Sequence, residues 1–265
     1  MNKLVPFLCL FLANTALAAS TDINVLSEKA EAGDPKSQYI LANRYARGTG
    51  TDKDPEQAIV WYEKAAHSGY ADAQFRLGTL HLEGKLGLIE DGEEAFEWFQ
   101  EAAAQEHPIA EFFVGNMLFK GQGVDQDQQL GMQWLRRAAA NNCKRAMVRL
   151  AQIYDRGIGI PVDDTEAVHW YIKAADFNLA YAQQALGRMY RNGEGVDVDT
   201  AEAVKWYRLA ARNGKNQARY ILGQILLNGE GNVTADKQEA RQWLEQAAAG
   251  NHRKAKALLQ QMQNP

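Results

Sequence analysis

Ala182-Gln183-Gln184-Ala185-Leu186-Gly187-Arg188-Met189-Tyr190 leads through Gly193, Gly195 and Val196 to Asp199, Ala203, Trp206-Tyr207 and Ala210-Ala211. Ala182, Leu186, Gly187 and Tyr190 fall on one helical face. The spacing predicts a helix, here called A, over about 180–192. Gly193 closes it, because glycine accepts the left-handed backbone that ends a helix. Helix B then opens at Asp199, whose carboxylate accepts hydrogen bonds from free backbone N–H groups, worth about 1 kcal/mol. Ala203, Trp206, Tyr207, Ala210 and Ala211 form its apolar stripe, and the alanines let neighbouring helices approach closely.

The same pattern recurs along the chain. All six tryptophans, Trp61, Trp98, Trp134, Trp170, Trp206 and Trp243, stand 36 or 37 residues apart. An aspartate precedes each: Asp54, Asp91, Asp127, Asp163, Asp199 and Asp236. An alanine pair follows each, from Ala65-Ala66 to Ala247-Ala248. Three features in phase across every copy signal stacked supersecondary units. The tryptophans are expected to be the large rings wedged between hairpins, since one unit cannot bury so much apolar surface alone. The reading is an all-α solenoid of helix-turn-helix repeats over 22–265, with repeats at about 33–68, 69–104, 105–140, 141–178, 179–214 and 215–250. Residues 22–32 form a half-repeat cap. Residues 252–262 form a capping helix, where Arg253, Lys254, Gln260 and Gln261 cover the next would-be interface.

Composition narrows the function. The chain is 46% hydrophobic and 23% charged, which suits a globular protein rather than a disordered one. Lys3, the apolar run Leu4 to Leu12 and Ala16-Leu17-Ala18 read as a secretory signal peptide over 1–18, cut after Ala18. The expected location is periplasmic or secreted. The net charge is −4, and cleavage removes a lysine and no acid, so a nucleic-acid partner is not expected. No later segment is apolar and long enough to cross a membrane. Cys143 alone would survive cleavage, so no internal disulfide is expected.

These residues resemble Sel1-like repeats, relatives of the tetratricopeptide unit, over nearly the whole mature chain. The resemblance implies a right-handed superhelix with a concave partner-binding face, and an adaptor rather than an enzyme. Exported bacterial relatives look like envelope scaffolds, signalling regulators or host-contact factors. Cysteine-rich Sel1-like proteins described as β-lactamases or penicillin binders carry paired cysteines in each repeat, which this chain lacks. A third expectation is an envelope polysaccharide ligand, stacked on groove aromatics.

By analogy with the tetratricopeptide unit, two positions of helix A face the groove. One, just after the Gly/Ala, reads Asn43, Thr79, Asn116, Gln152, Arg188 and Gln224. The other, three before it, reads Tyr39, Phe75, Phe112, Val148, Gln184 and Tyr220. A polar ladder beside an aromatic stripe suits a peptide backbone and its side chains. Arg136, Arg137, Lys144, Arg145, Arg149 and Arg156 make the fourth repeat basic, continued by Arg188 and Arg191, an expected footprint for an acidic protein or peptide partner.

Other motifs resolve into structure. The Asp-x-Asp pairs lack the central glycine and terminal acid of a calcium loop. The five histidines have no metal-ligand spacing. The Gly-x-Gly turns lack a phosphate-binding Lys-Ser/Thr. No cofactor, metal or catalytic residue is expected.

Overall fold

A computed structural model describes residues 23–263. The signal-peptide reading over 1–18 lies outside the described residues. Every regular element among the described residues is an α-helix.

The described residues form two compact units, 23–142 and 143–263. In the first, α1 is described over 23–31. Three hairpins follow it: α2 (Pro35–Arg47) with α3 (Pro55–His67), α4 (Ala71–Glu83) with α5 (Gly92–Ala104), and α6 (Pro108–Lys120) with α7 (Gln128–Ala140). The second unit holds α8 (Lys144–Arg156) with α9 (Asp164–Ala175), α10 (Ala180–Asn192) with α11 (Thr200–Arg212), and α12 (Asn216–Asn228) with α13 (Lys237–Ala249). It also contains α14 (Arg253–Gln263).

The caps sit where local chemistry demands. All six aspartates are N-caps of a B helix, Asp199 for example accepting from the Glu202 amide at 3.0 Å. Gly48, Gly84, Gly121, Gly157, Gly193 and Gly229 close the A helices in the left-handed region. The second glycine of a turn has a further duty. A Cβ on Gly123 would collide with the backbone of Gly92, and one on Gly195 with the backbone of Asp164. Gly231 lies equally close to the Thr200 side chain. Gly92, Asp164 and Thr200 each stand at the first position of a B helix, α5, α9 and α11. These turns therefore seat one repeat on the preceding one.

The core corrects the expectation for the tryptophans. Only Trp61 and Trp170 are buried; Trp98, Trp134, Trp206 and Trp243 are half-buried. The deepest of the large side chains on each B helix is the next residue: Tyr62, Phe99, Leu135, Tyr171, Tyr207 and Leu244, all at 2% exposure or less. The reason lies on helix A. Its Gly/Ala leaves a slot, and a Cβ on Gly78 would stand 2.8 Å from the Phe99 ring, one on Gly187 2.8 Å from the Tyr207 ring. The tryptophan sits beside this slot. There its indole N–H donates one turn back, Trp98 to Glu94 at 2.8 Å, Trp170 to Glu166 at 3.1 Å and Trp243 to Glu239 at 2.9 Å.

Candidate functional site

In each unit the A helices carry the positions expected to face a groove, and their side chains are engaged to different degrees. In the first unit Asn43 donates to the Tyr39 carbonyl at 2.9 Å and accepts from the Tyr62 hydroxyl at 3.0 Å. Thr79 donates to the Phe75 carbonyl at 2.9 Å. Both thus bond back one turn into their own helix, a local habit of short polar side chains. Asn116 is half-buried on α6. The aromatic position lies between repeats. Tyr39 packs on Tyr70 with ring centres 5.3 Å apart, and Phe75 stacks on His107 at 4.8 Å. Phe112 meets Phe113 edge-on at 5.5 Å.

In the second unit Tyr220 stacks on His252 at 4.5 Å. Arg145 is exposed in the first turn of α8, while Gln152 and Gln224 are half-buried. Arg188 and Arg191 correct the expectation of an open basic footprint. Arg188 meets Asp155 at 2.6 Å and also pairs with Glu194. Burial works against its charge, but Asp155 and Glu194 outweigh that and hold its pKa above the ordinary value. Arg191 makes a two-pronged pair with Glu230 at 2.7 and 2.6 Å. Asp155 and Glu230 lie 33 and 39 residues from their arginines, so no local reading of charge could reveal those two pairs.

Gln184 and Arg188 come together in one cleft of about 530 Å³. Asp155 and Arg156 at the end of α8 form one wall. Tyr181, Gln184, Ala185 and Arg188 of α10 form the middle, and Gln217 and Ile221 of α12 the other wall. Tyr207 of α11 also lines it. Burial pushes the Tyr207 phenol up to about 12, so it stays a neutral hydroxyl at physiological pH. Arg156 donates to the Tyr181 hydroxyl at 3.3 Å. Arg145, Gln152, Arg191, Tyr220 and Gln224 lie outside this lining.

Sequence reasoning had Arg156 as part of the basic footprint but missed Tyr181, Asp155 and Ile221. A signal was present: Gln184 is the polar break in an otherwise apolar or aromatic column. It also missed a buried polar position four residues before the Gly/Ala. There Gln38 donates to the Ala30 carbonyl at 3.0 Å, Gln74 to Ala66 at 3.2 Å and Arg219 to Ala211 at 3.0 Å. In the third copy this position is Glu111, fully buried. A carboxylate cannot donate to Ala103. Arg137 instead pairs with Glu111 at 2.7 Å and reaches the Ala103 carbonyl at 3.5 Å, while Asn141 also donates to Glu111.

The Sel1 repeat model matches residues 35–70, 71–107, 108–143, 144–176, 180–215 and 216–261. The chain belongs to the Sel1 repeat family. Two solved structures share this solenoid of helical hairpins. A protective antigen of uropathogenic Escherichia coli strains that displays an SLR fold is 32% identical, with a TM-score of 0.83 over 88% of this chain. The chain spans 50% of that antigen. A Sel1 repeat protein from Oxalobacter formigenes is 34% identical, with a TM-score of 0.70 over 87% of this chain and 99% of that one. A search of the curated proteins returned no match. Sel1-repeat proteins are commonly protein-interaction scaffolds and generally non-catalytic. No helix among the described residues is long and apolar enough to cross a membrane.

Proposed function

We propose that this Sel1-repeat protein is an exported, non-enzymatic scaffold that holds a segment of another protein against the A-helix face of residues 143–265. The observation that carries this reading is the cleft across α8, α10 and α12. It lies on three successive repeats and combines apolar and polar walls, and its volume is within the roughly 300–1,000 Å³ of pockets that bind small groups. On other A helices, Tyr39 and Phe75 in the first unit and Tyr220 in the second are committed to ring contacts between repeats.

A photo-reactive amino acid at Gln184 or Ile221 is expected to crosslink a discrete partner in cells. The same group at Leu209, exposed on α11, serves as the control. Equal labelling from all three positions would remove the cleft from the reading.

Export rests on Lys3, the apolar run and Ala16-Leu17-Ala18. The description of the Escherichia coli relative as a protective antigen supports such a setting. Mass spectrometry of the protein from its native cell should give a chain that starts at Ala19. Recovery of the uncut N-terminus from the cytoplasm would sink it.

A further inference from the structure

The cleft also has a cause, and the cause points to its occupant. In each repeat the side chain three before the Gly/Ala is matched by the residue that precedes the next A helix. The sequence pairs them as Tyr39 with Tyr70, Phe75 with His107, Phe112 with Cys143, Val148 with Leu179 and Tyr220 with His252. Three of these pairs are ring contacts 4.5 to 5.3 Å apart. In the fifth copy both members are hydrophilic, Gln184 and Lys215. No other junction pairs two side chains without an apolar or aromatic member, and the cleft opens beside Gln184, with the apolar faces of Tyr181, Ala185 and Ile221 in its walls.

The charges at this junction are unequal. Asp155 and Glu194 are both taken up by Arg188. Arg156 and Lys215 have no carboxylate partner among the described residues. Arg156 meets only the Tyr181 hydroxyl, and the Lys215 ammonium stands 5.9 Å from the centre of the Tyr181 ring. A cleft with apolar patches thus has Arg156 in its wall and Lys215 near Tyr181, two cations without a carboxylate partner among the described residues.

We infer that the cleft takes an aromatic side chain from an acidic segment of the partner, the ring standing in for the missing spacer and a neighbouring carboxylate meeting Arg156 and Lys215. This deepens the scaffold reading and rests on it. An aromatic side chain brings large apolar area with few rotatable bonds. A carboxylate on a guanidinium or ammonium forms the stronger, charge-assisted kind of hydrogen bond.

Phenylpropanoate, which carries both groups, tests the inference on the full chain by titration of the amide resonances of Tyr181, Gln184 and Ile221. Phenethylamine supplies the same ring with the opposite charge, and hexanoate the same carboxylate without a ring. Phenylpropanoate should bind about tenfold more tightly than either. Gln184→Phe restores a ring at the junction and should abolish its binding while the thermal midpoint is kept. Arg156→Gln with Lys215→Gln changes charge but not the slot, and should weaken phenylpropanoate about tenfold without weakening phenethylamine, which carries no carboxylate. Equal binding of phenethylamine, unchanged binding to both variants, or shifts confined to other helices would each overturn the inference. If crosslinking from Gln184 still captures one partner in that case, the scaffold reading survives alone. If that capture also fails, both fall.

Discussion

The two units build one repeat with different adhesives. In residues 23–142 rings do much of the joining: Tyr39 on Tyr70, Phe75 on His107 and on Phe113, and Phe99 stacked on Phe113 at 4.7 Å. In residues 143–263 ion pairs between repeats take a larger share: Arg188 with Asp155, Arg191 with Glu230, and Arg208 with Glu239 at 2.9 Å. The backbone plan is unchanged because caps and glycines set it. Side chains between repeats are free to differ, and that freedom is what leaves room for a cleft in the second unit.

The sharpest way to break this picture is to exchange the roles of neighbouring rings. Phe99→Ala should cost about 3–5 kcal/mol, as for other fully buried aromatics. Trp98→Ala, which removes a half-buried ring, should cost about 1–2 kcal/mol. Denaturant titration of both variants compares them directly, and equal losses would return the tryptophan to the centre of the core.

The buried acid of the first unit comes next. Arg137→Ala strands Glu111 at 0% exposure and should cost about 3 kcal/mol. Adding Glu111→Gln should recover much of that, because glutamine can donate to Ala103 as Gln74 does to Ala66. Arg191→Ala in the second unit should cost no more than about 1 kcal/mol, since its pair with Glu230 is partly solvated. A larger loss for Arg191 than for Arg137 in urea melts would reverse the contrast.

Much of the fold was legible in the residues, for a physical reason. Caps and stops are local: Asp199 bonds to an amide three residues on, and Gly193 answers only to its own helix. The predicted helix over 180–192 coincides with α10. The depth of Trp206 against Tyr207 was not legible, because it depends on a slot made by Gly187 on another helix. The site was legible only in part. Gln184 and Arg188 were found by their column, yet the neutralisation of Arg188 comes from Asp155, 33 residues away.

Smaller effects refine the comparison. Glu106 occupies a left-handed position at φ 61°, where Gly33, Gly69 and Gly214 serve the equivalent turns. Glu106→Gly should stabilise the first unit by about 1 kcal/mol, read as a rise in the urea midpoint. Raising salt to about 1 M shortens the screening length to roughly 3 Å and should weaken the second unit more than the first. Residue-resolved hydrogen exchange should therefore speed up on α10 to α13 before α4 to α6.

The smallest effect concerns two capping histidines. His252 accepts from the Ala255 amide at 3.2 Å, and burial, with Lys254 nearby, holds its pKa below the usual 6.5. The unfolded chain then binds the proton more readily than the folded one, so the cap is intact above about 6.5 and is lost as pH falls below it. His107 caps α6 in the same way but has the Asp72 carboxylate 3.4 Å away. Between about pH 7 and pH 5, Cα chemical shifts should move toward coil values at the start of α14. His252→Asn should remove the drift.

The seating of turn on helix has a genetic consequence. Gly123 rests on the main chain of Gly92, and Gly195 on that of Asp164, so these seams read no particular side chain. A gene segment encoding one repeat could be duplicated or excised in frame and the new neighbours would still mate. Arrays of this kind can therefore change length by recombination first and acquire distinctive surfaces by point mutation afterwards.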